Sequence, residues 1–142
     1  MSSRLSNEFK EMLLTLISTD TFKAILMLPG FVFNPATHDS YAAVSANELP
    51  TGSGYTTGGI TLISGTIVRD DVNHKVTLEW DNPSWPASGG DIQAGSAIIY
   101  DDTPTTPTAD VVVGFIDFNG IQTTYDGGVF TISNPFIQLE NA

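Results

Sequence analysis

HKVTLEW, His74 to Trp80, alternates Lys75, Thr77 and Glu79 with Val76, Leu78 and Trp80. That is the period of a strand with one face on a core and the other in water. Ile60 to Arg69 precedes it, and Asp70, Asp71, Val72 and Asn73 between the two runs supply turn chemistry, so the pair reads as a hairpin. Trp80, last in the alternation, is expected to point inward. Working outward, Ile92 to Tyr100, Val111 to Phe118, Val129 to Ser133 and Phe136 to Leu139 are further short strands, with Asn119-Gly120 and Asp126-Gly127-Gly128 as tight-turn signals. Thr21 to Leu28 is apolar on both faces, as in a central strand or one covered by a helix, and Pro29-Gly30 ends it. Thr37 to Val44 has the makings of a short helical turn. Two Pro-punctuated stretches, 81–91 and DDTPTTPTAD at 101–110, are expected to project as loops.

About eight evenly interrupted strands predict a mainly β fold: an antiparallel β-sandwich, jelly-roll-like, rather than a parallel α/β sheet. A short helix should precede it. From Ser6, a fitting N-cap, the residues Phe9, Met12, Leu13 and Leu16 recur at helical spacing, with Leu5 just ahead and Glu8 in the first turn. The spacing predicts a helix over Asn7 to Ile17. About three turns of helix are marginal alone in water, so the stripe must be covered, either by its own sandwich or by another subunit. The expected organisation is an N-terminal arm and helix at 1–19 and a single β-sandwich domain at 20–142.

The chain has 142 residues, 41% of them hydrophobic, which suits one domain with a sizeable core. Only 15% are charged, below the usual quarter, so much of the surface is neutral polar and suited to an assembly component. The formal charge of -11 repels phosphate backbones, which argues against a nucleic-acid partner. Three of the five basic residues, Arg4, Lys10 and Lys23, fall in the first stretch and make it electrostatically unlike the rest. The longest apolar run, Phe22 to Phe33, contains Lys23 and is broken by Pro29-Gly30, too short to cross a membrane. Glu8 and Glu11 stand where a secretory signal needs an apolar core, so synthesis in the cytosol is expected.

Groups that do chemistry are scarce: Cys is absent and His occurs twice. His38-Asp39 and Asp71 with His74 suggest a zinc or acid/base pair, but no HExxH or Cys/His spacing supports one, and such loop residues mostly form solvated turns. Asp70-Asp71 and Asp101-Asp102 are the oxygen-rich pairs from which a calcium site is built; outside the D-x-[DN]-x-[DN]-G pattern, adjacent Asp residues mostly cap turns. TGSGYTTGG is glycine-rich without being a phosphate loop, and no G-x-S-x-G elbow is present. No catalytic residue, cofactor or metal is therefore assigned. Trp80, Trp85, Tyr55 and Tyr100 offer a stacking platform for a sugar. Of these, Trp85, in a loop between Ser84 and Pro86, is the one expected at the surface, where it suits a subunit contact as well as a sugar.

RLSNEFKEMLL (4–14), DTFKAILML (20–28), THDSYAAVSANELPTGSGYTTGGITL (37–62), GSAIIYDDT (95–103) and VVVGFIDFNG (111–120), in that order, resemble a family of small tailed-phage proteins that includes virion structural components. The resemblance spans nearly the whole chain, and SANEL followed by GYTTGG is its most specific portion. The Pro-Gly-Phe-Val-Phe segment after the first strand and the DDTPTTPTAD loop are longer than the family pattern. The resemblance implies a non-enzymatic virion protein assembled from host-made chains, with capsid cement or decoration proteins, those of cyanophages included, as the nearest analogy. It further implies binding to the major capsid protein and to copies of itself, with a homo-trimer as the expected oligomer. The alternative is a tail-associated receptor- or carbohydrate-binding β-module, which would display an exposed aromatic ledge. A wall-degrading hydrolase would need two carboxylates converging in a cleft. Contacts are expected from Arg4, Leu5, Phe9, Lys10 and Leu13 in the N-terminal segment, from residue 2 to Ile17, and from the loops at Trp85 and Pro104. Arg4 and Lys10 would meet acidic surfaces of neighbouring copies.

Overall fold

The computed structural model describes residues 1 and 3–141; Ser2, the first residue of the expected contact segment, and Ala142 lie outside the described residues. The fold is mainly β with antiparallel sheets and a short N-terminal helix. Helix α1 (Asn7–Ile17) starts where the Ser6 hydroxyl accepts the Phe9 N–H at 3.1 Å, with Glu8 in the first turn, at the expected boundaries. The strands are β1 (Phe22–Met27), β2 (Ile60–Thr61), β3 (Thr66–Asp70), β4 (Lys75–Glu79), β5 (Ser84–Pro86), β6 (Ile92–Asp101), β7 (Val111–Thr124), β8 (Val129–Thr131) and β9 (Phe136–Glu140). They form sheets in the orders β2-β1-β6-β7, β3-β4-β9 and β5-β8. A second helix, α2, is the single turn Tyr41–Val44 within the stretch expected to be helical.

The four-stranded sheet has both faces covered, which explains why β1 is apolar throughout. On one face Phe22, Ala24, Leu26, Ala97 and Ile99 join Val76 and Leu78 of β4, Trp85 of β5 and Phe130 of β8 in the main core. This sheet-on-sheet packing makes the arrangement sandwich-like. On the other face Ile25, Met27, Ile98 and Tyr100 pack with Val44 under Phe31, Phe33 and Tyr41. Sheets of four, three and two strands lend no support to the finer jelly-roll expectation. Trp80 does point inward, its ring 5.0 Å from that of Phe22.

Three local expectations are corrected. Ile60 to Arg69 is two strands in different sheets, because Ser64, at φ 59°, and Gly65 turn the chain from β2 to β3. The stretch 81–91 does not project: β5 pairs Trp85 with Phe130, and Ala87 N–H bonds to Gly128 O at 2.8 Å. Asn119-Gly120 is not a hairpin turn but a bulge inside β7. Asn119 (φ 56°) and Gly120 (φ 136°) loop out opposite Gly95, and pairing resumes from Gln122 with Ala94.

The second face is held by one buried carboxylate. Glu48 accepts the Tyr41 hydroxyl at 2.6 Å, the Tyr55 hydroxyl at 2.7 Å and the Gly58 N–H at 2.7 Å. Tyr55 in turn accepts the buried Leu26 N–H at 3.1 Å, and Tyr100 donates to Gly58 O at 2.8 Å while stacking on Tyr41. Burial, then the bond to Glu48, pushes the Tyr41 phenol up to about 12, and the Tyr55 and Tyr100 phenols also rise, chiefly through burial. All three therefore remain protonated donors. Gly59 completes the arrangement: at φ 77°, a Cβ there would lie 2.0 Å from Ala24 O.

Two outcomes follow for urea unfolding. Tyr55→Phe should cost about 2 kcal/mol, because it removes one of the donors to Glu48 and leaves the buried Leu26 N–H without its acceptor, whereas Tyr41→Phe, which removes one donor to Glu48, should cost about 1 kcal/mol. Equal losses would show that the Leu26 bond contributes nothing. Gly59→Ala should cost more than Tyr41→Phe, since backbone rather than a side-chain tip must give way.

Candidate interaction surface

Helix α1 carries two apolar rows. One is inward: Leu14 is 3% exposed and joins the main core, Ile17 packs beside it and Leu13 is half-buried. Lys10 lies on the same side, fully buried, its ammonium donating to Asn7 Oδ1 at 3.3 Å and to the His74 carbonyl. The other row is bare: Phe9, Met12 and Leu16 are 41%, 49% and 70% exposed, and Leu5, in extended chain just ahead of the Ser6 cap, is 45% exposed. The helix is thus docked on its own sandwich and still leaves a stripe uncovered.

Polar contacts fix that docking. Arg69 of β3 reaches Glu8 at 2.8 Å, Glu11 at 3.0 Å and Asp71 at 2.8 Å. Asn7 donates to Asp71 at 2.8 Å, and Leu5 exchanges backbone bonds with the Asn141 side chain at 3.2 and 3.3 Å. Exposed ion pairs contribute little singly, so the buried Leu14 and Lys10 carry the packing while Arg69 sets the rotation of the helix.

The expected contact residues divide accordingly. Arg4, Leu5 and Phe9 are exposed, Leu13 and Pro104 are half-buried, and Lys10 and Trp85 are buried. Lys10 cannot meet a neighbour's acidic surface, because the hairpin turn at His74 takes its charge. Trp85 is not a surface anchor: its ring lies 6.0 Å from Tyr55 and 6.3 Å from Phe130 in the core. Met12 and Leu16, of the expected stripe, stand exposed beside Phe9, whereas Leu13 of the same stripe turns partly inward. The helical phase of these residues was legible, but which of two apolar rows faces inward was not.

His38, Asp70 and Asp117 bond within their own loops and turns. His38 accepts the Asn34 N–H at 2.9 Å and packs on Phe31, closing its own loop. Asp70 accepts the backbone N–H groups of Val72 and Asn73, and the Asn73 side chain followed by its backbone holds the Asp70 carboxyl below the usual range. Among the described residues no group of three His, Cys, Asp or Glu side chains converges as metal ligands. A groove of about 440 Å³ lies between Phe31, Phe33, Phe115, Ser96 and Ile121, and its one lining carboxylate, Asp117, bonds to the Asn119 N–H at 2.8 Å.

At the base of the 101–110 loop, Asp101 is buried and accepts the Thr103 N–H at 3.0 Å; burial first, then the neighbouring Asp20 carboxyl, pushes its own carboxyl up to about 6. Nearby, Asp102 pairs with Lys23 at 3.0 Å and is held low by it, while burial and Asp102 raise Asp110. A raised carboxylate favours the folded state when protonated. Its stabilisation is full below the ordinary value near 4 and is lost as pH climbs through about 6. Asp101→Asn, which carries no charge to bury, should therefore be more stable than the parent above pH 6, by on the order of 2 kcal/mol, and no more stable at pH 4. Thermal melts across that range check it; parallel curves for the two proteins would refute the raised carboxyl.

Scans of protein-family models, curated proteins and solved structures found no match to this chain.

Proposed function

We propose that this chain is a non-enzymatic structural protein of a tailed-phage virion, a capsid cement or decoration protein that binds the head shell and stabilises it. The observation that carries the reading is the bare apolar stripe of α1, Phe9, Met12 and Leu16, with the exposed Leu5 just ahead of the helix. Such a row on a docked helix serves protein contact, since the fold gains nothing by leaving it in water. The virion assignment comes from the family resemblance, whose most specific portion, SANEL to GYTTGG, contains the Glu48, Tyr55, Gly58 and Gly59 cluster that closes one face of the sheet. The major capsid protein and further copies of the chain are the partners of this reading, with a trimer as the form the analogy implies. Non-enzymatic function accords with the polar groups described above, whose hydrogen bonds serve turns and caps.

The tail-associated sugar-binding alternative asks for an aromatic ledge. Trp80, Trp85, Tyr55 and Tyr100 are all buried, so those four do not make one. This weighs toward the capsid reading.

Cryo-electron microscopy of purified particles with and without the chain tests the proposal. A regular array of added density over the head is the expected result. Density confined to the tail would favour the alternative, and hydrolytic turnover abolished by one Asp or Glu substitution would overturn the structural reading altogether.

A further inference from the structure

The groove beside the second face holds a polar side chain that the fold leaves unserved. Ser96 is 3% exposed, and among the described residues its hydroxyl is the buried side-chain group with no hydrogen-bond partner. A buried hydroxyl normally finds a partner, because leaving it unpaired forfeits the bonds it made to water. The register explains the orphan. On the face it shares with Ile98, Ser96 stands between Met27 of β1, whose thioether accepts only weakly, and Asp117 of β7. Asp117 accepts the Asn119 N–H on one carboxylate oxygen and makes no ion pair among the described residues. Two oxygen acceptors thus lie side by side on neighbouring strands, lining a groove of about 440 Å³.

The walls around them are apolar. The rings of Phe33 and Phe115 stack with centroids 4.9 Å apart, Phe31 meets Phe115 edge-on at 6.3 Å, and Ile121, 58% exposed, forms the rim. The bulge at Asn119-Gly120 opens the mouth: it loops out opposite Gly95, and a Cβ at Gly120 would meet nothing within 4 Å. No lysine or arginine lines the groove among the described residues, so its field is negative, set by Asp117 and by a chain of net charge -11. We propose that this groove binds a lysine side chain of a partner protein, with its aliphatic stem against the phenyl rings and its ammonium at Asp117 and Ser96.

An ammonium suits this site better than an anion or a guanidinium. It is a compact group with three donors, and aromatic rings beside a desolvated cation add to its binding. A guanidinium binds best as a fork across both oxygens of one carboxylate, and one oxygen of Asp117 is already engaged by Asn119. A second copy of this chain is a poor source of the lysine. Lys10 is buried, Lys23 is paired with Asp102, and Lys75 lies between Asp70 and Glu140 of its neighbouring strands. The lysine therefore comes from a different protein. No residue of α1 lines the site, so its test is independent of the exposed stripe and of the virion.

Titration of the isotope-labelled chain with Nα-acetyl-lysine N-methylamide, followed through the amide signals by NMR, tests the site. The signals of Gly95, Ser96, Gly120 and Ile121 should shift and saturate with a dissociation constant on the order of millimolar, the strength open to one side chain. Asp117→Asn, which keeps an oxygen for the Asn119 N–H, should weaken binding about tenfold, whereas Asp81→Asn, which removes the same charge at another exposed position, should not. Ser96→Ala should also weaken it while melting no lower than the parent, since the deleted hydroxyl has no bond to lose. The Nε-acetylated probe, which is uncharged, should leave the parent's signals in place, a comparison that needs no variant. Absence of a saturable shift at these amides, equal binding of the acetylated probe, or unchanged affinity in Asp117→Asn would each overturn the lysine site. So would equal weakening by Asp81→Asn, tighter binding of the arginine counterpart, or an early melt for Ser96→Ala.

Discussion

Glu48 is the constraint on which the covered sheet depends. A carboxylate 6% exposed must recover what it loses on leaving water, and it does so from three donors: two phenols and a backbone amide. Those donors come from positions 41, 55 and 58, so satisfying one charge folds some eighteen residues of irregular chain back over β1 and β6. The edge of β1 is finished by the same segment, with Leu28 N–H on Asn47 O and Leu49 N–H on Leu26 O. Without this closure Ile25, Met27 and Ile98 would face water, and the sheet would be a half-buried one with the wrong residues on its outer side.

That closure determines how the remaining surfaces can be used. With the second face shut by Phe31, Phe33 and Tyr41, and Trp85 and Phe130 filling the end of the main core, the large aromatics are mostly committed to packing. Helix α1 is the element left with a choice. Leu14 and Lys10 dock it, and Arg69 holds Glu8 and Glu11 to one side, which turns the other apolar row outward.

Much of this was legible in the sequence, for reasons that differ by element. The helix boundaries were clear because Ser6 and Glu8 are local signals acting within one turn. The β4 alternation was clear because one of its faces is wet. β5 was hidden: three residues around Pro86 carry no period, and only the distant partner Phe130 makes Trp85 a strand residue. The split between β2 and β3 was signalled only by Ser64-Gly65, a turn dipeptide that the β-forming residues on either side, Ile60 to Ile63 and Thr66 to Val68, outweigh as one continuous strand. As for the surface, the two apolar rows of α1 are nearly equivalent in sequence. What separates them is Lys10, a residue read as a surface charge that instead caps the His74 carbonyl from within.

The distribution of cations shows how little positive charge an acidic protein of this kind leaves free. Lys10 is buried, Lys23 is committed to Asp102, and Arg69 holds three carboxylates. Lys75 lies on the outer face of β4 between Asp70 and Glu140 of its neighbouring strands. Little positive charge remains to attract a like molecule at long range, and a net charge of -11 repels one. On the proposed reading, short-range burial of apolar surface supplies the attraction, and it does so where the local field has been quieted. On α1 that condition is met by Arg69, so the residue that orients the helix also determines where a second molecule can come close.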